Sequence, residues 1–567
     1  MTLQRGIVSQ PRDYKMIIER DVRIPLRDGT PLLANIFRPD CGLERVPVLV
    51  ALTVYQKDKV WRPPADLDEV PNEHMVWETP NPVWWCARGY ATARIDARGS
   101  GKSIGQSEPN SYQEALDYYD AIEWIAKQPW CSGKIGALGI SYLASSQWRV
   151  ASLRPPSLKA IMPWEGRADQ YRDHAYHGGI FSLGFISAMH AIETANHLLG
   201  EPRSYNPDAF NNNMLWTYLR NDLDSEYWRQ ISARWDCIDV PVYSVGNWGG
   251  MALHLRGNTE AYMNAASRHK KLRIHSGTHV HPFYREEAKL DQLRWFDYWL
   301  KDIDTGIMDE PPVKLEIRTG GSHEPYSFRL ESEWPLARTR WTRMYLKIDR
   351  PPSPGVDLPE GRLVDDIPEK QEKATYSTAR TAGVGQGWSP ALALGGWPGG
   401  RTGVSFQTEP MIEEVEITGP VVLVLWISST SKDMDIFATL RNIDPDGNDV
   451  WEVGPNHQPI PVTKGWLRAS HRKLDQAQSL PYRPYHAHNE RLWLAPGEVV
   501  ECQVEIWPTS MIFHKGHRLR LDIQPCDGIG SAPHTHYYAD YNAGALNTIY
   551  AGQGTPSHLL LPVIPAA

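Results

Sequence analysis

The fold is decided by residues 134–143, which read Lys-Ile-Gly-Ala-Leu-Gly-Ile-Ser-Tyr-Leu. The first half is a short apolar strand, Ser141 follows in a turn, and a helical pattern begins directly after it. A turn between a strand and a helix exposes the serine hydroxyl and places the next N–H at a helix N-terminus, as a nucleophilic serine requires. The alternative is a serine that only caps the helix, because Leu143 replaces the second glycine of the Gly-x-Ser-x-Gly pattern.

Strands and helices alternate on both sides of this turn, which predicts an α/β sheet covered by helices. Residues 46–52 form a continuous apolar run, typical of a strand buried on both faces. Residues 21–25 and 31–38 predict a hairpin, and residues 111–128 predict a helix.

The chain divides into three parts of different sequence character. Residues 1–165 and 238–310 carry the α/β pattern, whereas residues 166–237 are largely helical and aromatic, as expected of a lid inserted over the strand ends. From residue 311 the pattern becomes short strands between Gly and Pro turns, which predicts an all-β sandwich over residues 311–567.

Composition and charge argue against several partners. The chain has 59 basic and 67 acidic residues, a net charge of −8 and no basic run, so we expect no nucleic acid partner.

Its apolar stretches are far shorter than the roughly 20 residues of a membrane helix, and its start lacks a signal-peptide pattern, so we expect no membrane association and a cytoplasmic location. The six cysteines form no Cys-x-x-Cys pair and are expected to be reduced.

Several short motifs occur in an order that matches a known family. They are residues 27–32, 88–90, 96–103 and 124–143 in the first half, and residues 405–410, 419–420, 433–435 and 444–447 in the second. Together they resemble the CocE/NonD family that contains cocaine esterase, X-Pro dipeptidyl-peptidases and α-amino acid ester hydrolases. The resemblance implies an α/β-hydrolase fold with an inserted helical lid, followed by an all-β jelly-roll domain. It also implies a serine hydrolase without a metal or an organic cofactor.

The resemblance places the general base after a late strand, where residues 274–279 read Ile-His-Ser-Gly-Thr-His. His279 is therefore the predicted base for Ser141, and His281 remains an alternative. We expect no metal at this His-x-His pair, because no carboxylate or cysteine lies nearby at ligand spacing.

Two groups are predicted to hold the oxyanion. The family uses a tyrosine hydroxyl beyond the third strand, and Tyr55 matches that position, while the N–H of Tyr142 would be the second donor. Alternatively, Tyr55 is a strand-end aromatic residue that packs on the lid.

The acid of the predicted triad is where the sequence departs from the family. The family has Gly-x-x-Asp-Gly, but residues 246–250 read Gly-Asn-Trp-Gly-Gly, with Gly249 in place of the aspartate. Because a histidine base needs a partner that fixes its tautomer, Glu165, which follows the preceding strand, is the predicted acid. Three alternatives remain open: Asn247, Glu260 and Asp169.

These residues predict an enzyme that cleaves a carboxylic ester or amide of a hydrophobic small molecule through an acyl-enzyme on Ser141. The predicted substrate pocket is aromatic and consists of Trp84, Trp85, Trp164, Trp248, Tyr176 and Phe181. One alternative is an X-Pro dipeptidyl-peptidase, with Glu165 as the site of the substrate's amino terminus, or an amino-acid-ester acylase. Another is a non-catalytic binding protein on a hydrolase scaffold. The β domain is expected to form one wall of the active site and to provide the surface of a homodimer.

Overall fold

The computed structural model describes residues 7–64, 67, 69–198, 214–321, 327–350, 360–378, 403–528, 534–536, 542 and 544–566. In the N-terminal part, the strands are β1 (Met16–Pro25), β2 (Pro31–Pro39), β3 (Val46–Thr53), β4 (Ala91–Asp96), β5 (Cys131–Ile140), β6 (Leu158–Trp164), β7 (Tyr176–His177), β8 (Ile180–Phe181), β9 (Val242–Asn247), β10 (Lys270–His275), β11 (Val313–Glu316) and β12 (Phe328–Glu331). The helices are α1 (Pro82–Cys86), α2 (Tyr112–Ala126), α3 (Tyr142–Ala151), α4 (Leu183–Leu198), α5 (Met214–Arg220), α6 (Glu226–Ile231), α7 (Leu255–Asn264), α8 (His281–Tyr284) and α9 (Glu286–Lys301).

Ten of these described strands form one sheet in the order β1-β2-β4-β3-β5-β6-β9-β10-β11-β12. The strands from β4 to β11 in that order run parallel, whereas β1, β2 and β12 pair in antiparallel fashion. Every residue of β3 and β4 is buried, because helices cover both faces of a parallel sheet. The predicted hairpin is confirmed as β1 and β2, and the sheet confirms the predicted α/β-hydrolase fold. The carboxyl ends of β5, β6, β9 and β10 therefore meet along one edge.

The described part of the segment between β6 and β9 packs at this edge, because Tyr55, which follows β3, contacts its apolar core. Its role as a lid stays a prediction. It contains a π-helical turn at Gln170–Ala175, the short hairpin of β7 and β8, and helices α4 to α6. Its core is aromatic: the Tyr171 and Tyr176 rings stack with centroids 4.9 Å apart, and Phe181 and Trp228 pack beside them.

The C-terminal part is all-β. Its strands are β13 (Arg340–Ile348), β14 (Gly361–Val364), β15 (Glu372–Ser377), β16 (Val404–Gln407), β17 (Val415–Ser429), β18 (Asp435–Ile443), β19 (Glu452–Val453), β20 (Pro459–Ile460), β21 (Thr463–Arg468), β22 (Val500–Phe513), β23 (Arg518–Gln524), β24 (Leu546–Ala551) and β25 (His558–Ile564). In the described part of the chain, eleven of them form a sheet in the order β15-β24-β17-β22-β21-β18-β23-β16-β14-β13-β25. Because β25 also pairs with β17, the sheet closes on itself around a separate apolar core.

The structure differs from the expected domain boundary at residue 311. Strands β11 and β12 extend the first sheet, since β11 pairs with β10 and β12 pairs with β11. The side chains of Val313 and Leu315 pack in one buried cluster with Leu272 and Ile274 of β10, which explains why a short alternating strand belongs to this sheet. Sequence alternation alone does not reveal which of two sheets a short strand joins.

The β domain packs directly against the hydrolase domain. The fully buried Arg318 guanidinium donates to the backbone oxygens of Val462 and Ser510 and pairs with Glu452 at 2.8 Å. The N–H of His279 donates to the Pro455 carbonyl at 3.0 Å, so the β domain reaches the edge where the strands end. Among the helices that the structure describes, none is long and apolar enough to cross a membrane.

Candidate active site

Ser141 lies at the sharp turn between β5 and α3, with φ at 57° and ψ at −111°. Backbone hydrogen bonds fix this turn, because the N–H of Ser141 donates to the Trp164 carbonyl and the N–H of Ile140 donates to the Glu78 carbonyl. A Cβ atom at Gly139 would come within 2.7 Å of the Leu143 side chain, so the turn requires glycine at this position, two residues before Ser141. A strained, fixed backbone of this kind is typical of functional sites.

The imidazole next to the serine hydroxyl is that of His254. Its Nε2 atom lies 3.2 Å from the Ser141 Oγ, and the His254 side chain is almost fully buried just before α7. The sequence analysis missed this residue. A signal was available, since His254 follows the glycine turn after β9 and begins a helix at the same edge of the sheet.

Glu165 is the central carboxylate of the site. It directly follows β6 with φ at 52° and is completely buried. Its Oε2 atom accepts a hydrogen bond from His279 Nδ1 at 2.8 Å and lies 3.6 Å from His254 Nδ1. Its Oε1 atom accepts from Asn247 Nδ2 at 3.2 Å and lies 3.6 Å from His275 Nε2. One carboxylate therefore faces three histidines and an amide.

His279, the predicted base, contacts carboxylates through both of its ring nitrogens. Its Nδ1 atom lies 2.8 Å from Glu165 Oε2, and its Nε2 atom lies 3.0 Å from Glu78 Oε1. The His279 ring is parallel to the His254 ring within 6°, with centroids 5.4 Å apart. The structure thus brings Ser141, Glu165 and both histidines together. The histidine in contact with the Ser141 hydroxyl, however, is His254 rather than the predicted His279.

The two histidines differ in charge because their surroundings differ. Burial lowers the pKa of His254 to about 4, although the nearby Glu165 opposes this shift. Burial also disfavours charged His279, but the Glu165 and Glu78 carboxylates outweigh it and raise the pKa of His279 to about 10. Burial raises the pKa of Glu78, whereas the surrounding histidines overcome burial and hold the pKa of Glu165 below its usual value. At neutral pH, His254 is a neutral acceptor and His279 is a cation.

The two residues predicted to hold the oxyanion, Tyr55 and Tyr142, pack against each other through their rings. The Tyr55 ring packs edge-on against the Tyr142 ring, with centroids 6.2 Å apart. Tyr142 begins α3, where the first N–H groups of a helix have no intrahelical acceptor. Its hydroxyl is bound in the interior, donating to Glu114 and accepting from the Asn110 N–H. Burial, with a contribution from Glu78, raises the pKa of Tyr55, which keeps its hydroxyl protonated as a donor.

The structure places most of the predicted aromatic pocket residues in packed cores. Trp85 and Trp164 pack in the core between the first sheet and helix α9. Trp248 packs in the core shared with the β domain. Tyr176 and Phe181 pack in the core of the segment between β6 and β9. Trp84 lies under the Arg88 guanidinium. Their participation in a substrate pocket remains a prediction. The aromatic side chain of Trp77, by contrast, lies 6.4 Å from the His279 ring.

The three alternative acids occupy different positions. Asn247 donates to Glu165 and to the Gly277 carbonyl, so it helps to hold the carboxylate. Glu260 pairs with Arg483 at 2.6 Å, and Asp169 pairs with Arg172 at 2.9 Å. Both of these carboxylates therefore form ion pairs with arginines.

The sheet, the lid and the serine turn together define the class of the protein, a serine hydrolase with the α/β-hydrolase fold. Residues 28–281 match the X-Pro dipeptidyl-peptidase (S15 family), and residues 305–560 match the X-Pro dipeptidyl-peptidase C-terminal non-catalytic domain. The structure is similar to that of a CocE/NonD family hydrolase from Staphylococcus aureus, with 30% sequence identity, a TM-score of 0.85 and coverage of 97% of this chain and 94% of the other. The chain belongs to the CocE/NonD family of hydrolases, which confirms the resemblance seen in its motifs.

More distant relatives match over nearly the whole chain. The chain is 25% identical to the cocaine esterase of Rhodococcus sp. (strain MB1 Bresler), over 97% of this chain and 99% of that protein. An α-amino acid ester hydrolase structure is 16% identical with a TM-score of 0.70, covering 99% of each chain, and shows that the fold is shared.

Proposed function

We propose that this hydrolase cleaves the carboxylic ester of a hydrophobic small molecule through an acyl-enzyme on Ser141, with His254 as the general base. The observation that carries the proposal is the 3.2 Å contact between Ser141 Oγ and His254 Nε2. A serine hydroxyl becomes an effective nucleophile only beside a base that can take its proton, and a neutral buried imidazole fulfils that role.

In the first step, Ser141 Oγ attacks the ester carbonyl carbon, and its proton passes to His254 Nε2. The carbonyl oxygen becomes an oxyanion, for which the Tyr55 hydroxyl and the Tyr142 N–H are the proposed donors. The C–O bond of the ester then breaks, and the leaving alcohol takes the proton from His254. Water attacks the acyl-enzyme with the same base, which releases the carboxylic acid and restores the serine.

Glu165 is the proposed acid, because its carboxylate faces the Nδ1 side of His254 at 3.6 Å. It would stabilise the imidazolium that forms during each step. His279, which the sequence analysis assigned as the base, is proposed instead to hold the Glu165 and Glu78 carboxylates in place as a cation between them. If His279 is the base, its ring must leave Glu78 before it can reach the serine.

A second candidate is supported by Glu78. Its Oε1 atom binds His279, and its buried Oε2 atom has no well-formed hydrogen bond, although the Trp77 side chain is a nearby donor that opposes the rise in the pKa of Glu78. A buried carboxylate with one weakly bound oxygen could bind a protonated amine of a substrate. This observation favours an amino-acid ester or an X-Pro peptide as the alternative substrate, consistent with the match to the X-Pro dipeptidyl-peptidase family.

Labelling with a fluorophosphonate probe, followed by mass-spectrometric location of the adduct, tests the nucleophile. The proposal expects an adduct on Ser141 in the wild type and much slower labelling in His254→Gln. The absence of any adduct, together with no hydrolysis, would favour the non-catalytic binding protein.

Hydrolysis of an aryl acyl ester, an α-amino acid aryl ester and an X-Pro anilide separates the substrate classes. The ester proposal expects the simple acyl ester to have the highest kcat/KM. If the amine-bearing substrates are preferred and Glu78→Gln removes that preference, the second candidate replaces the first.

The proposal also includes the predicted cytoplasmic location and homodimer. The sequence contains no Cys-x-x-Cys pair, which suits a reducing compartment. Sedimentation equilibrium of the full chain would measure the oligomeric state.

A further inference from the structure

We infer that Glu165, His254 and His279 form a binding site for Zn²⁺, and that the bound ion switches off the hydrolase. The inhibitory part rests on the proposed function, whereas the binding site rests on geometry alone. Among the residues that the structure describes, these three side chains form the group whose potential metal-ligand atoms lie close together. One such atom of each residue lies within 4.8 Å of the other two.

The separations suit a small tetrahedral ion. Glu165 Oε2 lies 2.8 Å from His279 Nδ1 and 3.6 Å from His254 Nδ1. Ligands that bind Zn²⁺ at about 2.0–2.2 Å in a tetrahedron lie about 3.3–3.6 Å from one another. Small movements of these side chains would therefore accommodate the ion. It would take the place of the Nδ1 proton that His279 now donates to Glu165, and this proton would be released to solvent. Two imidazoles and a carboxylate are a ligand set that Zn²⁺ uses, and they leave a fourth position open.

The outer atoms of the three ligands are already held in place. Glu165 Oε1 accepts from Asn247 at 3.2 Å, His279 Nε2 binds Glu78 at 3.0 Å, and His254 Nε2 lies on Ser141. Hydrogen bonds to the far side of metal ligands orient them and strengthen metal binding. The Glu165 side chain is fully buried, and the His254 side chain is nearly so, which distinguishes this group from a chance surface cluster.

Binding would stop catalysis through the tautomer of His254. When Nδ1 of an imidazole binds a metal ion, the ring proton resides on Nε2. In His254, the proton would move from Nδ1 to Nε2, and no proton would be lost from this ring. Nε2 would then donate towards Ser141 Oγ, so it could not accept the serine proton. The carboxylate of Glu165 would at the same time be occupied by the ion.

The binding test uses the full chain with Ser141→Ala, freed of metal by a chelator, so that the result does not depend on activity. Calorimetry is expected to show one Zn²⁺ per chain. Co²⁺ should give the visible absorption of a four-coordinate ion, and Cu²⁺ should give an electron paramagnetic resonance spectrum with coupling to two nitrogens. The additional changes His279→Gln and, separately, His254→Gln should each weaken Zn²⁺ binding by more than about 10-fold, while the circular dichroism spectrum stays that of the wild type.

A surface pair provides the matched control. His514 lies 2.9 Å from Glu414 at an exposed position of the β domain, so His514→Gln removes a histidine next to a carboxylate that is not part of the proposed metal site. It should leave Zn²⁺ affinity unchanged. The binding site is overturned if Ser141→Ala binds no ion, if both active-site histidine variants bind as tightly as their parent, or if His514→Gln abolishes binding.

The inhibition test uses the wild type. Hydrolysis of an aryl ester should fall at least about 100-fold at saturating Zn²⁺, with half-inhibition at the Kd of the calorimetric titration, and should return on addition of chelator. Full activity at saturating Zn²⁺ would overturn the inhibition while leaving the binding result in place. A wild type that hydrolyses nothing would instead contradict the proposed function, and the titrations would still decide whether the metal site exists.

Discussion

The Nε2 atom of His254 lies 3.2 Å from the Ser141 Oγ, although the motifs of the family predict His279 as the general base. The replacement of the expected aspartate by Gly249 is part of the same arrangement. A Cβ atom at Gly249 would come within 2.9 Å of the Ile460 and Pro455 side chains of the β domain. A side chain at position 249 would require Ile460 and Pro455 to shift, so glycine suits this packing, and Glu165 after β6 is the carboxylate beside both histidines.

The first prediction separates the roles of the two histidines. His254→Gln should lower kcat/KM for an aryl ester by at least about 10⁴-fold, since it removes the proposed acceptor of the serine proton. His279→Gln should cost less, about 10–100-fold, because that ring holds carboxylates rather than the nucleophile. Steady-state kinetics of both variants in chelator-containing buffer measure the difference. The reverse order of losses would return the role of base to His279.

The second prediction concerns the acid. Glu165→Gln keeps the shape of the side chain but removes the charge that faces His254 and His279, so kcat should fall by about 10⁴-fold. The matched control is Glu260→Gln, which changes a carboxylate paired with Arg483 outside the serine site and should leave kcat within about twofold. A larger loss in Glu260→Gln than in Glu165→Gln would assign the acid to Glu260.

Sequence patterns were sufficient for the fold and for part of the site. The buried runs and the serine turn predicted the sheet and the position of Ser141, because parallel strands and a strand–turn–helix have strong local signatures. Glu165 was predicted as the acid from its position after a strand, and the structure places it beside His254 and His279.

The contact of His254 with the serine was not predictable in the same way. It depends on how the glycine turn after β9 directs the chain into α7 and on the β domain that fills the space beside Gly249. The aromatic residues illustrate the same limit. Trp164 ends β6 and Trp248 follows β9, at the strand ends where pocket residues often lie, but both are completely buried by packing partners that lie far away in sequence.

The third prediction tests the oxyanion donor. Tyr55→Phe removes the hydroxyl that is proposed to hold the oxyanion and should lower kcat by about 10²–10³-fold with little change in KM. Tyr176→Phe is the control, because the Tyr176 hydroxyl donates to the Tyr218 carbonyl inside the core of the segment between β6 and β9. That variant should keep its kcat and lose about 1 kcal/mol of unfolding free energy, as measured by urea denaturation. Equal kcat values for Tyr55→Phe and the wild type would exclude the hydroxyl as a donor.

The fourth prediction follows from the opposite pKa shifts of the two histidines. The base must be neutral to accept a proton, and burial lowers the pKa of His254 to about 4, so kcat/KM should fall only as the pH drops below about 4. The cation between Glu165 and Glu78 is lost as the pH rises through the His279 pKa of about 10, so activity should decline again there. Initial rates with a pH-stable substrate, in chelator-containing buffer and with enzyme recovery checked at pH 7, would record this broad plateau.

The shape of that profile distinguishes the two histidines independently of mutation. With His254 as the base, activity is nearly constant between about pH 5 and pH 9, because neither histidine changes its charge in that range. With His279 as the base, its raised pKa would leave the enzyme largely protonated and inactive at neutral pH, and the rate would increase tenfold per pH unit until about pH 10. An acid limb near pH 6.5, the value of an unperturbed imidazole, would contradict the buried and neutral state of His254.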